Sequence, residues 1–345
     1  MNLSDKRLVR IGIGVTCAVG VAVFVAGSAP AVRSLAAAAG SVSPPALLAG
    51  VVLSMLAILN RGGLNRATHQ TAGLPAAPLS MVRPAAVGFA ANKILRSGGA
   101  SGAAVFVRHG EAHRYPTGSV IAACALAALA SMAALGFVML SAVALLAASG
   151  TLTGWWIAAA VGFALYATLV AVAVTIAARR RDLLHRTWGA AAGLVARLRR
   201  RPAPSGSTAV DDFAGALHSV RSQPRWARRA MLHAIAGKAL GAAMLLSAAQ
   251  AAGITLGPAD AVIIYATALG ASMASLVPAG VGVVETSTGA LLVSQGASIG
   301  VAAIAVALFR VMDLWIPVAA GALAVRVPMG TGRVDPAGRL TPALS

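Results

Sequence analysis

The stretch VPAGVGVVETSTGALLVS, residues 277–294, decides how this chain folds. It interrupts a long apolar region with Pro278, Gly280 and Gly282, and one helical turn later it sets a carboxylate, Glu285, in the same apolar surroundings. Proline removes a backbone donor and disfavours helix at the residue before it, while glycines at i and i+2 supply the permissive backbone that a sharp reversal needs. At membrane depth such a break is tolerated only where protein or a watery cavity covers the freed polar groups. An ionisable residue beside it is then a candidate functional site, with a structural ion pair as the rival reading.

Composition places this stretch in a membrane. Of 345 residues, 58% are hydrophobic and 11% charged, and the mean hydropathy is +0.82, far from the pattern of a soluble domain. Lys and Arg number 28 against 9 Asp and Glu, a balance of +19. In so apolar a chain that excess reads as cytoplasmic loops meeting anionic lipid headgroups, not as a nucleic-acid surface. Cys17 and Cys124 lie singly in apolar runs, so no disulfide, metal or cofactor is expected. Lys6, Arg7 and Arg10 before the apolar run 11–26 look like a signal peptide, but the run is long for one and the GSAP after it is a weak cleavage site. It reads as a retained first helix with a cytoplasmic N-terminus.

Spanning helices need about 20 mostly apolar residues. Candidates are 9–28, 45–60 (closed by Asn60, Arg61 and Arg66), 118–141, 155–178 (opened by Trp155 and Trp156 and closed by Arg179), 230–252 and 299–325. The basic C-terminal tail, with Arg326, Arg333 and Arg339, belongs inside. Residues 258–298 must then begin and end on the outer face, which makes them a re-entrant hairpin. Between 62 and 117 the apolar pieces 85–91 and 103–107 are each too short to span, and RSGGASG (96–102) breaks them with Gly98, Gly99 and Gly102. The economical reading is an inner re-entrant hairpin over about 75–107; an amphipathic segment lying on the membrane surface is the other. The fold class expected is an all-α polytopic membrane protein with about six transmembrane helices and two opposed re-entrant hairpins. Span, hairpin and span recur upside down, an inverted repeat of the kind common in transporters.

Four units follow the first helix and its external loop (1–40): a first membrane half, 41–178; a basic cytoplasmic loop, 179–229; a second membrane half, 230–325; and a cytoplasmic tail, 326–345. The loop carries 12 Arg and 3 Asp, a net of +9 by subtraction. Residues 183–198 read as an amphipathic basic helix on the inner leaflet and 202–207 as a linker. That is too short for a catalytic domain; it suits membrane-surface electrostatics or a docking segment for a protein partner.

Arg310 stands about 11 residues into the last span, where a charge costs at least a few kcal/mol unless paired. Asp313 at i+3 shares its helix face and Glu285 sits on the neighbouring hairpin arm, so a Glu285/Arg310/Asp313 cluster is expected. It serves either as a structural clamp or as the place where Arg310 and Glu285 meet a lipid phosphate. Lys238 and Arg96 are further candidate headgroup contacts, Lys238 being equally readable as a snorkelling anchor. No GxSxG, HExxH or GxxxxGK[ST] motif occurs, and RHGEAHR at 108–114 reads as a solvated turn, so no catalytic residue is assigned.

LVPAGVGVVETSTGALLVSQG followed by FRVMDLWIPVAAG resembles the membrane region of the lysylphosphatidylglycerol synthase family, in which a P-x-G-x-G-x-x-E hairpin precedes a helix bearing an Arg and ending P-x-x-x-G. The matching positions are Pro278, Gly280, Gly282, Glu285, Arg310, Pro317 and Gly321. GFAANKILRSGGASG (88–102) is similar to the family's first hairpin through Asn92, Gly98, Gly99 and Gly102, with Arg96 and Ser97 where a proline is commoner. The resemblance implies an integral plasma-membrane protein that flips or accommodates an anionic or aminoacylated phospholipid or a lipid-linked precursor. The family's large soluble aminoacyl-transfer domain is not in this sequence, so synthase activity is not expected. The alternative is a non-catalytic membrane partner that recruits a cell-envelope glycosyltransferase or synthase through 179–229.

Overall fold

The computed structural model of the chain describes residues 42–95, 99–179, 207–220, 222–275, 280–326, 333–334 and 340–341. Apart from a two-residue antiparallel pair, Arg333–Val334 with Leu340–Thr341, the described residues with regular structure are helical. Four helices are long and apolar enough to cross a membrane: α1 (Pro44–Thr71), α4 (Thr117–Ala148), α7 (Pro224–Ala251) and α10 (Ile299–Val325). At about 1.5 Å per residue, even the shortest reaches roughly 40 Å, more than a hydrocarbon core of about 30 Å. Helix α5 (Gly154–Arg179) has 26 residues, over the stretch where the sequence suggests a span at 155–178; its Trp156 is buried in the core instead of facing lipid in an aromatic belt. The expected first span, 9–28, and the amphipathic helix at 183–198 lie outside the described residues.

The span expected at 45–60 is too short. Helix α1 continues through Asn60, Arg61 and Arg66 to Thr71, because these polar side chains find partners inside the protein. Arg66 Nε donates to the carbonyl of Ala76 at 3.0 Å, Asn60 is bonded to His233, and the Arg61 guanidinium lies over the Phe89 ring. Charge ends an apolar window in sequence, but it need not end a helix that is covered by neighbours.

Two helical hairpins sit between the long helices. The first is α2 (Val82–Ile94) with α3 (Ala100–Ala112), and the second is α8 (Pro258–Ala274) with α9 (Val283–Ser294). Arms of 12 to 17 residues reach roughly 18–26 Å, short of the bilayer core. The first hairpin's helices occupy 82–112, displaced towards the C-terminus from the expected 75–107. The break in each falls where glycines allow it: Gly99 has φ +96°, Gly280 +64° and Gly282 +86°, the left-handed region that residues with a Cβ resist.

Packing exchanges the two halves. Helices α1 and α7 form the most extensive contact and run antiparallel, tied by Ser43 N to Ala251 O at 2.9 Å at one end and Asn60 Nδ2 to His233 O at 2.7 Å nearer the other. The first arm of each hairpin crosses to the opposite half, α2 onto the end of α10 and α8 onto α4, while the second arm packs on its own half, α3 on α4 and α9 on α10. Close approach of α2 and α10 depends on Gly321, where a Cβ would stand 2.5 Å from the Ala86 carbonyl oxygen.

Part of the basic loop is packed. Helix α6 (Ser207–His218) buries Ala216 against Ala72, Ala122 and Ala123, with Phe213 half-buried beside them, and Ser219 Oγ donates to Thr71 O at 2.5 Å. Helix α10 is not uniform: Val311–Trp315 is a π turn between two α segments. Such a turn frees a carbonyl from the α pattern, and the buried Ser54 hydroxyl of α1 donates to Met312 O at 2.6 Å.

Candidate functional site

Between α1, α2, α3, α4, α7, α8 and the π turn lies a cavity of about 340 Å³. It runs from Ala57 to Asn65 along α1 and from His233 to Met244 along α7, or roughly 12–17 Å of helix axis. The polar side chains on its wall include Arg61, Lys238, Tyr265, Asp313, Asn60 and His233. Each is placed by a specific local cause. Asn60 and His233 lock α1 to α7 reciprocally, His233 Nδ1 donating to Asn60 Oδ1 at 2.7 Å. Tyr265 fits because Gly241 of α7 faces its hydroxyl, where a Cβ would collide.

Arg61 lies with its guanidinium carbon 3.6 Å from the centroid of the Phe89 ring, and Lys93 places Nζ 5.2 Å from the same ring. Cation–π contact offsets part of the cost of holding these charges away from water. The Asp313 carboxylate acts through space on Arg61, Lys93, Lys238 and Tyr265, which come from α1, α2, α7 and α8. Arg61 and Lys238 face Asp313, the one carboxylate among the described lining residues. Counting Lys93, this region has more positive than negative side chains. An excess of cations at membrane depth is what an anionic headgroup would neutralise.

The hairpin tips are held by side-chain acceptors. In the first, Asn92 Oδ1 accepts from Gly102 N at 2.8 Å and from Ser101 Oγ at 2.9 Å, and a Cβ on Gly102 would strike the Asn92 amide. Gly99, Gly102 and Ala103 line the cavity, so the N-terminal end of α3, with its positive dipole, faces it. In the second, Glu285 Oε2 accepts from Gly282 N at 2.7 Å while Oε1 pairs with Arg310 Nε at 2.7 Å. Arg310 is 4% exposed and Glu285 25%.

The expected three-membered cluster therefore forms in part. Glu285 and Arg310 meet, but Asp313 does not share their face. With 3.6 residues per turn, i and i+3 lie close together; the wider π turn at Val311–Trp315 carries Asp313 round to the cavity. Lys238 does reach the cavity. Arg96, Gly98 and Pro278 lie outside the described residues. Sequence reasoning passed over Arg61, Lys93, Asn60, His233 and Tyr265. Their one signal was that Asn60 and Arg61 close an apolar run, which reads equally well as the start of a loop.

A family model described as the lysylphosphatidylglycerol synthase TM region matches residues 9–321. A search of curated proteins returns no match. The family match covers most of the 345-residue chain, and the chain belongs to that family.

Proposed function

We propose that this member of the lysylphosphatidylglycerol synthase transmembrane-region family is a lipid translocase, which takes the phosphate of an anionic or aminoacylated phospholipid or lipid-linked precursor into the cavity beside Arg61 and Lys238. The observation that carries this reading is the cavity's charge: two lining cations, a third behind them on Phe89, and a single carboxylate among the described lining residues. Half-buried cations in excess of the carboxylate favour the entry of an anion, which completes their pairing. Arg310 is assigned a different task, that of clamping the second hairpin through Glu285.

In this reading both hairpins are re-entrant and enter from opposite faces. The interlocked, antiparallel halves then form an inverted repeat whose broken helices meet near the midplane. Charge supports the orientation. Arg66, Arg83, Arg108, Arg114, Arg225, Arg228, Arg229 and Arg326 gather at the end where α1, α3 and α10 finish and α7 begins, and that end is placed in the cytoplasm of a plasma-membrane protein.

The test is reconstitution in liposomes holding fluorescent phosphatidylglycerol, with a membrane-impermeant quencher reporting transfer between leaflets. Transfer by the wild type, with at least about tenfold loss in Arg61→Gln and Lys238→Gln, is the expected result. Unimpaired transfer in both variants would refute the assignment of the cavity.

A further inference from the structure

The π turn raises a question that headgroup binding alone does not answer: why a carboxylate faces a site built for an anion. Val311–Trp315 departs from the α pattern, and the departure is supported from α1. Ser54 is fully buried and bonds the Met312 carbonyl at 2.6 Å, and Gly50, one turn away, leaves the room that the Met312 side chain fills. These contacts hold Asp313 on the cavity side while Arg310 turns to Glu285. Among the described residues Asp313 makes no direct ion pair, although its charge reaches Arg61, Lys93, Lys238 and Tyr265. A carboxylate that is near several cations and bonded to none leaves the cations free to bind something else.

We propose that Asp313 is the cavity's resident counter-ion: it balances Arg61 and Lys238 while the site is empty and competes with the lipid phosphate for them when a headgroup enters. Ser54 is the positioning residue for that role. The inference rests on the headgroup reading above and gives it a kinetic sense. Half-buried cations at membrane depth destabilise the empty protein when no counter-charge stands near them. Cations without a competitor would hold a phosphate too tightly to release it, and transport needs a site that is weak enough to leave. Asp313 meets both needs through like-charge repulsion of the bound phosphate.

The experiment measures binding of dioctanoyl-phosphatidylglycerol to the purified full chain in detergent, with phosphate-free dioctanoylglycerol as the comparison lipid. Asp313→Asn is expected to lower Kd about tenfold and to slow release, whereas Asp313→Glu, which keeps the charge, stays near the wild type. Ser54→Ala, which unseats the π turn, is expected to shift Kd in the same direction as Asp313→Asn. If the wild type binds the phosphatidylglycerol and Arg61→Gln weakens it, but Asp313→Asn binds no more tightly, the counter-ion assignment is overturned and the headgroup reading stands. Equal uptake of dioctanoylglycerol by the wild type removes the headgroup reading and the counter-ion with it. Should Asp313→Asn not fold, an unchanged Kd in Ser54→Ala overturns the proposal by itself.

Discussion

Three charged residues of the C-terminal half, Glu285, Arg310 and Asp313, separate into an ion pair and a carboxylate on the cavity wall. Arg310 is buried and held by a carboxylate that also fastens the start of α9. Removing one partner of a buried pair leaves the other charge uncompensated, at a cost of about 3–5 kcal/mol, and the lower end applies because Glu285 is 25% exposed. Glu285→Gln and Arg310→Gln are therefore expected to lower the melting temperature of the purified protein, and a double substitution to cost less than the sum of the two. Arg61→Gln relieves the cavity of a cation and should leave melting unchanged or raised. Wild-type melting in Arg310→Gln together with lost lipid transfer would instead return Arg310 to the substrate. The Glu285–Arg310 pairing was legible in sequence, since a buried arginine needs a partner and the hairpin supplies one. The direction of Asp313 was not, because VMDLW reads as ordinary apolar helix and the bond that steadies the π turn comes from Ser54, in the other half of the chain.

The hairpins were the most legible elements, because Pro and Gly break apolar runs too short to span. Their boundaries were less so: α3 extends past the apolar piece 103–107 to Ala112, with His109 buried against its neighbours and Arg108 on the exposed side of the same turn. A re-entrant hairpin returns to the face it left, whereas a crossing helix does not. With Cys17 and Cys124 replaced, single cysteines introduced as Leu79→Cys and Glu111→Cys flank the first hairpin, and Thr255→Cys and Gln295→Cys flank the second, all at exposed positions. The last two are expected to react with an impermeant maleimide added to intact cells, and the first two only after the membrane is opened. A split result within either pair would mean that the hairpin crosses the membrane.

At the scale of the molecule, each half begins antiparallel to the other and lends its first hairpin arm to its partner. The repeated order of span, hairpin and span could be read from the sequence, but the exchange of arms could not. The cavity is a product of that exchange. Arg61 closes one apolar window and Lys238 stands near the start of another, so in sequence one looks like a loop residue and the other like a snorkelling anchor; only the pairing of α1 with α7 brings them to one wall. The most direct test of the account is an experimental structure in nanodiscs rich in phosphatidylglycerol, read for where a lipid phosphate sits. The account predicts phosphate density within hydrogen-bonding distance of Arg61 and Lys238, with the Arg310–Glu285 pair intact; phosphate on Arg310, or a cavity sealed by a direct Asp313–Arg61 pair with lipid elsewhere, would contradict it.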